Sequence, residues 1–390
     1  MKVLILPISG GGFPVQLGIL SKLCDAKYEP DLVLSSSGGN VSAYIAAAGG
    51  WQSKGIKRVA KCLSKDFFLT SWTEGLFSFI PSWIPGFFMD SFFNSSTLGI
   101  EFFKENFNSV TATHVEIWTG TVDCTSKKSQ LFCNRKYIDS CIYEEKSDKK
   151  DGVGCLVDTI KDEKSSTIPV KCIDCKIDTQ LYGCLEPIYL NGNVEEIGKA
   201  ALASASIPTM VPSQNIRGKL YADGGVTHAS PLSIMKDVIN NLEEKRSQGL
   251  HLTYVNSFDL EKSDPVSPTY MTSLHNGKIT MLELVQNLAV QDRIAGIDLI
   301  RNPDIKMYSL EGFINNSDDI EWIETRRLKC RRSFIEYYPV NNDVIDLKSF
   351  KNDDVLKLLE ESSVKFKYRL RWVGSADIFE KSKVINKDGK

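Results

Sequence analysis

Short apolar runs alternate along this chain with stretches of helical spacing. Lys2–Ile8 is a compact Val, Leu and Ile run that stops at Ser9-Gly10-Gly11-Gly12, predicting a buried strand and a turn, and Val15–Cys24 then places apolar residues at helical intervals. The order recurs at once. Asp31–Leu34 is a second short strand, Ser35–Asn40 a polar turn, and Val41–Ala48 an Ala-rich helix closed by Gly49-Gly50. Strand, turn and helix repeated at this spacing make a βαβ unit, so the expected class is α/β: a doubly wound, mainly parallel sheet flanked by helices. Ligands of such sheets bind outside the carboxyl ends of the strands, where both Gly/Ser turns fall.

Further along, Val115–Val122, Leu220–Ala222, Leu252–Phe258 and Phe334–Val340 read as strands. Val194–Ala205, Pro231–Lys245, Ile279–Ile300 and Val355–Tyr368 read as helices. Two segments interrupt the alternation. Between Phe67 and Phe107 lie eleven of the nineteen Phe, with Trp72 and Trp83, and Pro81 and Pro85 break any long helix there. Two readings stand for this aromatic segment: a satellite core under a cap, or a lid that touches membrane, because Trp and Phe favour lipid interfaces. The second segment, 133–184, carries six of the ten Cys and a charged centre, Glu144–Asp151, and is expected as a surface insertion.

Composition narrows the function classes. Lys+Arg 47 against Asp+Glu 49 leave a net charge of −2, so no large field attracts a polyanion, and nucleic acid is not expected as a partner. With 42% hydrophobic residues the chain has ample core material, and its 390 residues suit two domains or one large domain with insertions. The longest stretches without Asp, Glu, Lys or Arg, Val3–Ser21 and Leu32–Ser53, are cut by Gly and Ser and do not supply the roughly 20 apolar residues of a membrane span. The apolar run in Met1–Pro7 is shorter than that of a signal peptide, so a cytoplasmic location with reduced thiols is expected. Cys172-Ile173-Asp174-Cys175 is a CxxC without a second Cys or His pair, and neither a metal nor another cofactor is expected.

Candidate chemistry sits in the turns. In Ser35-Ser36-Ser37-Gly38-Gly39 a Ser stands between strand and helix with small neighbours, the frame of a nucleophile elbow, with Ser35 where Gly is usual. At a helix N-terminus, the Ser37 hydroxyl would have free backbone N–H groups beside it; the alternative is a Ser-rich loop that only caps the helix. Gly10, Gly11 and Gly12 would present N–H groups to an oxyanion or phosphate, and they lack the dinucleotide spacing.

Four motifs together carry a resemblance: Ser9-Gly10-Gly11-Gly12, Asp31–Gly39, Ala203-Ser204-Ala205-Ser206-Ile207-Pro208 and Tyr221-Ala222-Asp223-Gly224-Gly225-Val226. In order and spacing they resemble the patatin-like phospholipases, and Tyr338-Pro339-Val340 followed by Asp346–Phe350 and Asp354–Ser362 is similar to that family's closing strand and helix. The resemblance implies a three-layer α/β/α acyl hydrolase domain over 1–365, elaborated by a cap at 67–107 and the insertion at 133–184, with 366–390 a basic tail. It implies cleavage of acyl esters in phospholipid or other acyl lipid through a Ser–Asp dyad and an acyl-enzyme, with peripheral membrane contact. Ser37 would be the nucleophile and Asp223 its partner. Gly10, Gly11, Gly12 and Gly38 would form the oxyanion hole, supported by Ser35, Gly39, Gly224 and Gly225.

Other readings stay open. A catalytically inactive module could bind lipid or protein on the same fold, or the dyad could serve an acyltransferase or thioesterase. His228, five residues after Asp223, could complete a Ser-His-Asp arrangement. The glycine loop continues as Phe13-Pro14-Val15 where the family has a basic residue and another Gly, and Ser35 replaces a Gly. The basic runs Arg326–Arg332 and Lys365–Arg371 are expected as solvated faces, or as surfaces drawn to anionic lipid.

Overall fold

Val3, Leu4, Ile5 and Leu6 are all fully buried, which a strand achieves only when both its faces are covered. Leu4 and Leu6 belong to one apolar cluster, while Val3 and Ile5 belong to another on the opposite face, as side chains alternate along a strand. The computed structural model describes residues 1–63, 69–71, 93–95, 115–126, 128–134, 188–190, 192–206, 213–226, 232, 249–259, 293–346 and 350–379.

The first half of the chain builds β1 (Lys2–Leu6), α1 (Phe13–Asp25), β2 (Leu32–Ser36), α2 (Gly38–Ala48), α3 (Ser53–Ala60), β3 (Leu69–Ser71), β4 (Phe93–Ser95), β5 (Glu116–Asp123), β6 (Lys128–Cys133) and β7 (Ile188–Tyr189). The second half adds α4 (Val194–Ser204), β8 (Gln214–Ile216), β9 (Lys219–Asp223), β10 (Leu250–Val255), β11 (Met307–Ile314), α5 (Ser317–Arg327), β12 (Arg332–Pro339), α6 (Asn352–Val364) and β13 (Phe366–Val373). Caps mark several helix starts: Asn193 accepts from Glu195 N and Glu196 N ahead of α4, and Asn316 and Asp319 form a reciprocal capping box on α5.

Among the described residues, the main sheet runs β11-β13-β12-β10-β1-β2-β5-β6-β7, with β9 joined to β5 and β8 to β9. Its centre, β12-β10-β1-β2-β5, is parallel, and both margins turn antiparallel, at β11-β13-β12 and at β5-β6. Helices α1, α2, α3, α4, α5 and α6 contribute to the larger apolar cluster on one face, and Leu299 and Ile300, in helical residues 293–300, pack into the cluster on the other. The mostly parallel mixed sheet between helical layers is the expected α/β class.

Several expectations are corrected at the C-terminal end. The helix foreseen over Val355–Tyr368 stops at Val364, and Phe366–Val373 enters the sheet between β11 and β12 instead of starting a basic tail. The domain therefore continues past residue 365. Neither basic run is simply a solvated face. Arg327 is fully buried, donating to Thr253 Oγ1 and the Leu252 carbonyl beside the Glu324 carboxylate. Arg369 is buried against Glu336, 3.3 Å away, and Tyr338. Burying these cations is tolerated because each finds carboxylate and oxygen partners. Cys133, expected as the first residue of a surface insertion, is instead the buried last residue of β6.

The remaining residues of the Cys-rich segment, including Cys172 and Cys175, and the helix expected over Pro231–Lys245 lie outside the described residues apart from Asn134 and Leu232. So does most of the aromatic segment, of which Leu69–Ser71 and Phe93–Ser95 pair as a small antiparallel sheet. Among the described residues no helix is long and apolar enough to cross a membrane.

Candidate active site

The site arises where two strands meet end to end. Strand β6 takes one edge of β5 over Trp118–Asp123, which leaves the other edge to β2, paired over Glu116–Gly120, and then to β9, paired over Thr121–Asp123. Ser36 is registered with Gly120 and Asp223 with Thr121, so Ser37 leaves β2 just where Asp223 ends β9. Ser37 Oγ donates to Asp223 Oδ2 at 2.7 Å, and both residues are buried.

Ser37 pays for this position in its backbone. It adopts φ 53° and ψ −133°, a left-handed conformation rare for a residue with a side chain, and α2 starts immediately after it. Close packing requires Gly at the next positions, since a Cβ on Gly39 would stand 2.2 Å from the Pro7 carbonyl oxygen. Ser35, where an elbow usually has Gly, fits because its hydroxyl donates to Asn40 Oδ1 at 2.7 Å; Asn40 Oδ1 also accepts from Thr119.

Burial pushes the Asp223 carboxyl up to about 7, and hydrogen bonds from the Ser37 hydroxyl and the Gly225 N–H pull it part of the way back. Gly225 N donates to Asp223 Oδ1 at 2.7 Å, so each carboxylate oxygen has its own partner. Gly224 lies against β5, where a Cβ would come within 2.5 Å of the Gly120 carbonyl oxygen.

Gly10, Gly11 and Gly12 form a 3₁₀ turn between β1 and α1, with Pro14 in the first turn of the helix. The triplet is held from outside by Ile345, whose N–H donates to the Gly11 carbonyl at 2.9 Å. Buried Gln16 donates to the carbonyls of Pro7 and Val255, tying α1 to the carboxyl ends of β1 and β10. Gly38 begins α2 beside the triplet, and the first amides of a helix lack intrahelical acceptors, so this corner can offer N–H groups to an anion.

Ser204 is a partner for which sequence reasoning had no role. At the end of α4, its buried Oγ accepts from Ser37 N at 3.0 Å and donates to the Gly120 carbonyl at 2.7 Å. Two residues on, the Ser206 carbonyl accepts from Asp223 N. The Ala203–Ser206 motif therefore touches both members of the pair, and the signal available was its small residues at a helix end.

The histidines do not join this corner among the described residues. His251 pairs with Lys2, at the opposite end of β1, and hydrogen-bonds Ser333 Oγ at 3.0 Å. Burial, with Arg327, the N-terminal ammonium and Lys2 nearby, pushes its pKa down to about 3. His228 lies outside the described residues. Nor does any group of three or more His, Cys, Asp or Glu suited to a metal occur among the described residues.

A hydroxyl donating to a carboxyl raised toward neutrality, beside a corner of backbone amides, is an arrangement suited to acyl transfer. A comparison with family models matches residues 6–236 to the model described as patatin-like phospholipase. A search of curated proteins gave no match.

Proposed function

The chain belongs to the patatin-like phospholipase family, and we propose that it is a serine hydrolase of phospholipase A type that cleaves acyl esters of membrane lipids with Ser37 and Asp223. The observation that carries this reading is the 2.7 Å hydrogen bond from Ser37 Oγ to Asp223 Oδ2 inside the matched region.

The chemistry follows from the geometry. Ser37 Oγ attacks the ester carbonyl carbon as its proton passes to Asp223 Oδ2, and the carbonyl π pair moves onto oxygen. The N–H groups of Gly38, Gly10 and Gly11 are the proposed donors to that oxyanion, the Gly12 N–H being held by the Ser9 carbonyl at 2.8 Å. When the tetrahedral species collapses, the C=O re-forms, the bond to the leaving alkoxide breaks, and Asp223 returns the proton to it. Water then repeats the sequence on the acyl-enzyme. A carboxyl raised toward 7 suits both halves, because it is neither too weak a base for the hydroxyl nor too weak an acid for the alkoxide.

No metal or histidine enters this scheme. Membrane contact belongs to the same reading, since a lipid acyl hydrolase must take its substrate from a bilayer, and the aromatic segment 67–107 is the proposed contact. Purified protein assayed on phospholipid vesicles and on a soluble p-nitrophenyl ester, with Ser37→Ala as control, tests the reading. Turnover of both by wild type and of neither by the variant is expected; equal rates for the two proteins would reject it.

A further inference from the structure

Ser9 stands immediately before the glycine triplet and is 1% exposed, yet among the described residues its Oγ has no hydrogen-bond partner. It occupies the cap position of the Gly10–Gly12 turn without making a capping bond. Buried hydroxyls are nearly always paired, so one left open beside a candidate catalytic corner needs an explanation. Its surroundings supply one. A Cβ on Gly38 would lie 2.5 Å from Ser9 Oγ and 3.0 Å from Gly10 N, so the hydroxyl, the first amide of the triplet and the backbone following Ser37 converge on one another.

Resting on the acyl-hydrolase reading above, we propose that Ser9 is a further catalytic residue: its hydroxyl donates a hydrogen bond to the oxyanion, beside the amides of Gly10, Gly11 and Gly38. As the bond from Ser37 Oγ to the carbonyl carbon forms and the π pair moves onto oxygen, Ser9 O–H turns toward the new charge. Its proton stays on Ser9. When the C=O re-forms, the hydrogen bond weakens again. A donor used chiefly in the transition state acts on kcat and leaves KM nearly unchanged.

Ser257 provides a matched comparison. It too is buried with a hydroxyl that has no partner among the described residues, and it presses on the same triplet, but at Gly12, where a Cβ would lie 2.8 Å from Ser257 Oγ. If Ser9 only packed the loop, the two serines would be equivalent.

The test measures kcat and KM on a soluble p-nitrophenyl ester for wild type, Ser9→Ala, Ser257→Ala and Ser37→Ala, with thermal unfolding of each. Ser9→Ala is expected to lower kcat on the order of 10²-fold, with KM changed less than about two-fold and no loss of thermal stability. Ser257→Ala should keep most of the wild-type kcat. Wild-type kcat in Ser9→Ala, or an equal fall in Ser257→Ala, overturns the proposal. Should Ser9→Ala not fold, Ser9→Cys keeps the volume with a much weaker donor: a reduced kcat supports the proposal and an unchanged one rejects it. Failure of the underlying reading is distinguishable, because Ser37→Ala would then turn over ester as wild type does.

Discussion

Ser37 and Asp223 are 186 residues apart in sequence and 2.7 Å apart between Oγ and Oδ2. The contact depends on β5, whose one edge receives β2 and then β9. A strand that serves two neighbours in succession brings their ends together without a long loop, and this is how a hydroxyl and a carboxylate come to share a buried corner.

Removing either partner should remove nearly all turnover. Asp223→Asn is expected to reduce kcat by roughly 10²–10⁴-fold, the usual worth of a positioned general base. A fluorophosphonate probe should label wild type and leave Ser37→Ala unlabelled, whereas His251→Ala should stay active, because that ring lies at the other end of the sheet. Activity lost in the His251 variant without loss of folding would contradict the dyad.

The pH dependence should carry the signature of Asp223. Acting as a base, it requires the carboxylate, so kcat/KM should rise with pH and reach half its plateau near pH 7. Stability runs the other way. The folded pKa lies above the ordinary value of 3.8, so between about pH 4 and 7 the folded chain keeps a proton that the unfolded chain has lost. This group's contribution is fully present below that window and is lost as pH rises through 7. Asp223→Asn should accordingly unfold at a higher temperature than wild type at pH 8, with the difference closing near pH 4; a difference that grows toward acid would show the sign to be wrong.

Ser204→Ala should damage activity while leaving both the Ser37 and the Asp223 side chain in place. It leaves the Gly120 carbonyl and the Ser37 N–H short of a partner in a buried site, which costs about 1–3 kcal/mol of stability. The strained Ser37 backbone loses its brace, so kcat should fall about ten-fold or more. Urea unfolding and steady-state kinetics on the same preparation would check both, and unchanged values in both would dismiss the brace.

Gly224→Ala should push the end of β9 off β5, because the new methyl would meet backbone rather than a movable side chain. A stability loss of about 1–3 kcal/mol is expected, with turnover falling as Asp223 draws away from Ser37. Retention of full activity would mean that the turn relaxes without moving the carboxyl.

The aromatic segment allows a test of membrane contact. Replacing Trp83, Phe87 and Phe88 with Ser should weaken vesicle binding, since apolar transfer contributes about 25 cal/mol per Å². Hydrolysis of a short soluble ester should be spared. Vesicle binding that survives the substitutions would remove this segment from the proposed contact.

The parallel centre of the sheet was legible because a strand covered on both faces must be apolar at every position, and Val3–Leu6 and Leu32–Leu34 are. The elbow was legible for a similar local reason, as Ser37 requires small neighbours whatever the rest of the chain does. Strand β13 was not. Its Phe-Lys-Tyr-Arg-Leu-Arg-Trp-Val reads as a basic run, and only pairing with β11 and β12 brings Arg369 against Glu336 and Glu311. Likewise Ser204 and Ser9 are ordinary serines in sequence, one made a brace by distant Ser37 and Gly120 and the other brought beside Gly38 with no partner among the described residues. Periodicity and turn chemistry are short-range properties, and the sequence by itself determined those; which charges are neutralised, which hydroxyls are braced and which strand ends meet depends on long-range pairing, and the tertiary structure alone decided that.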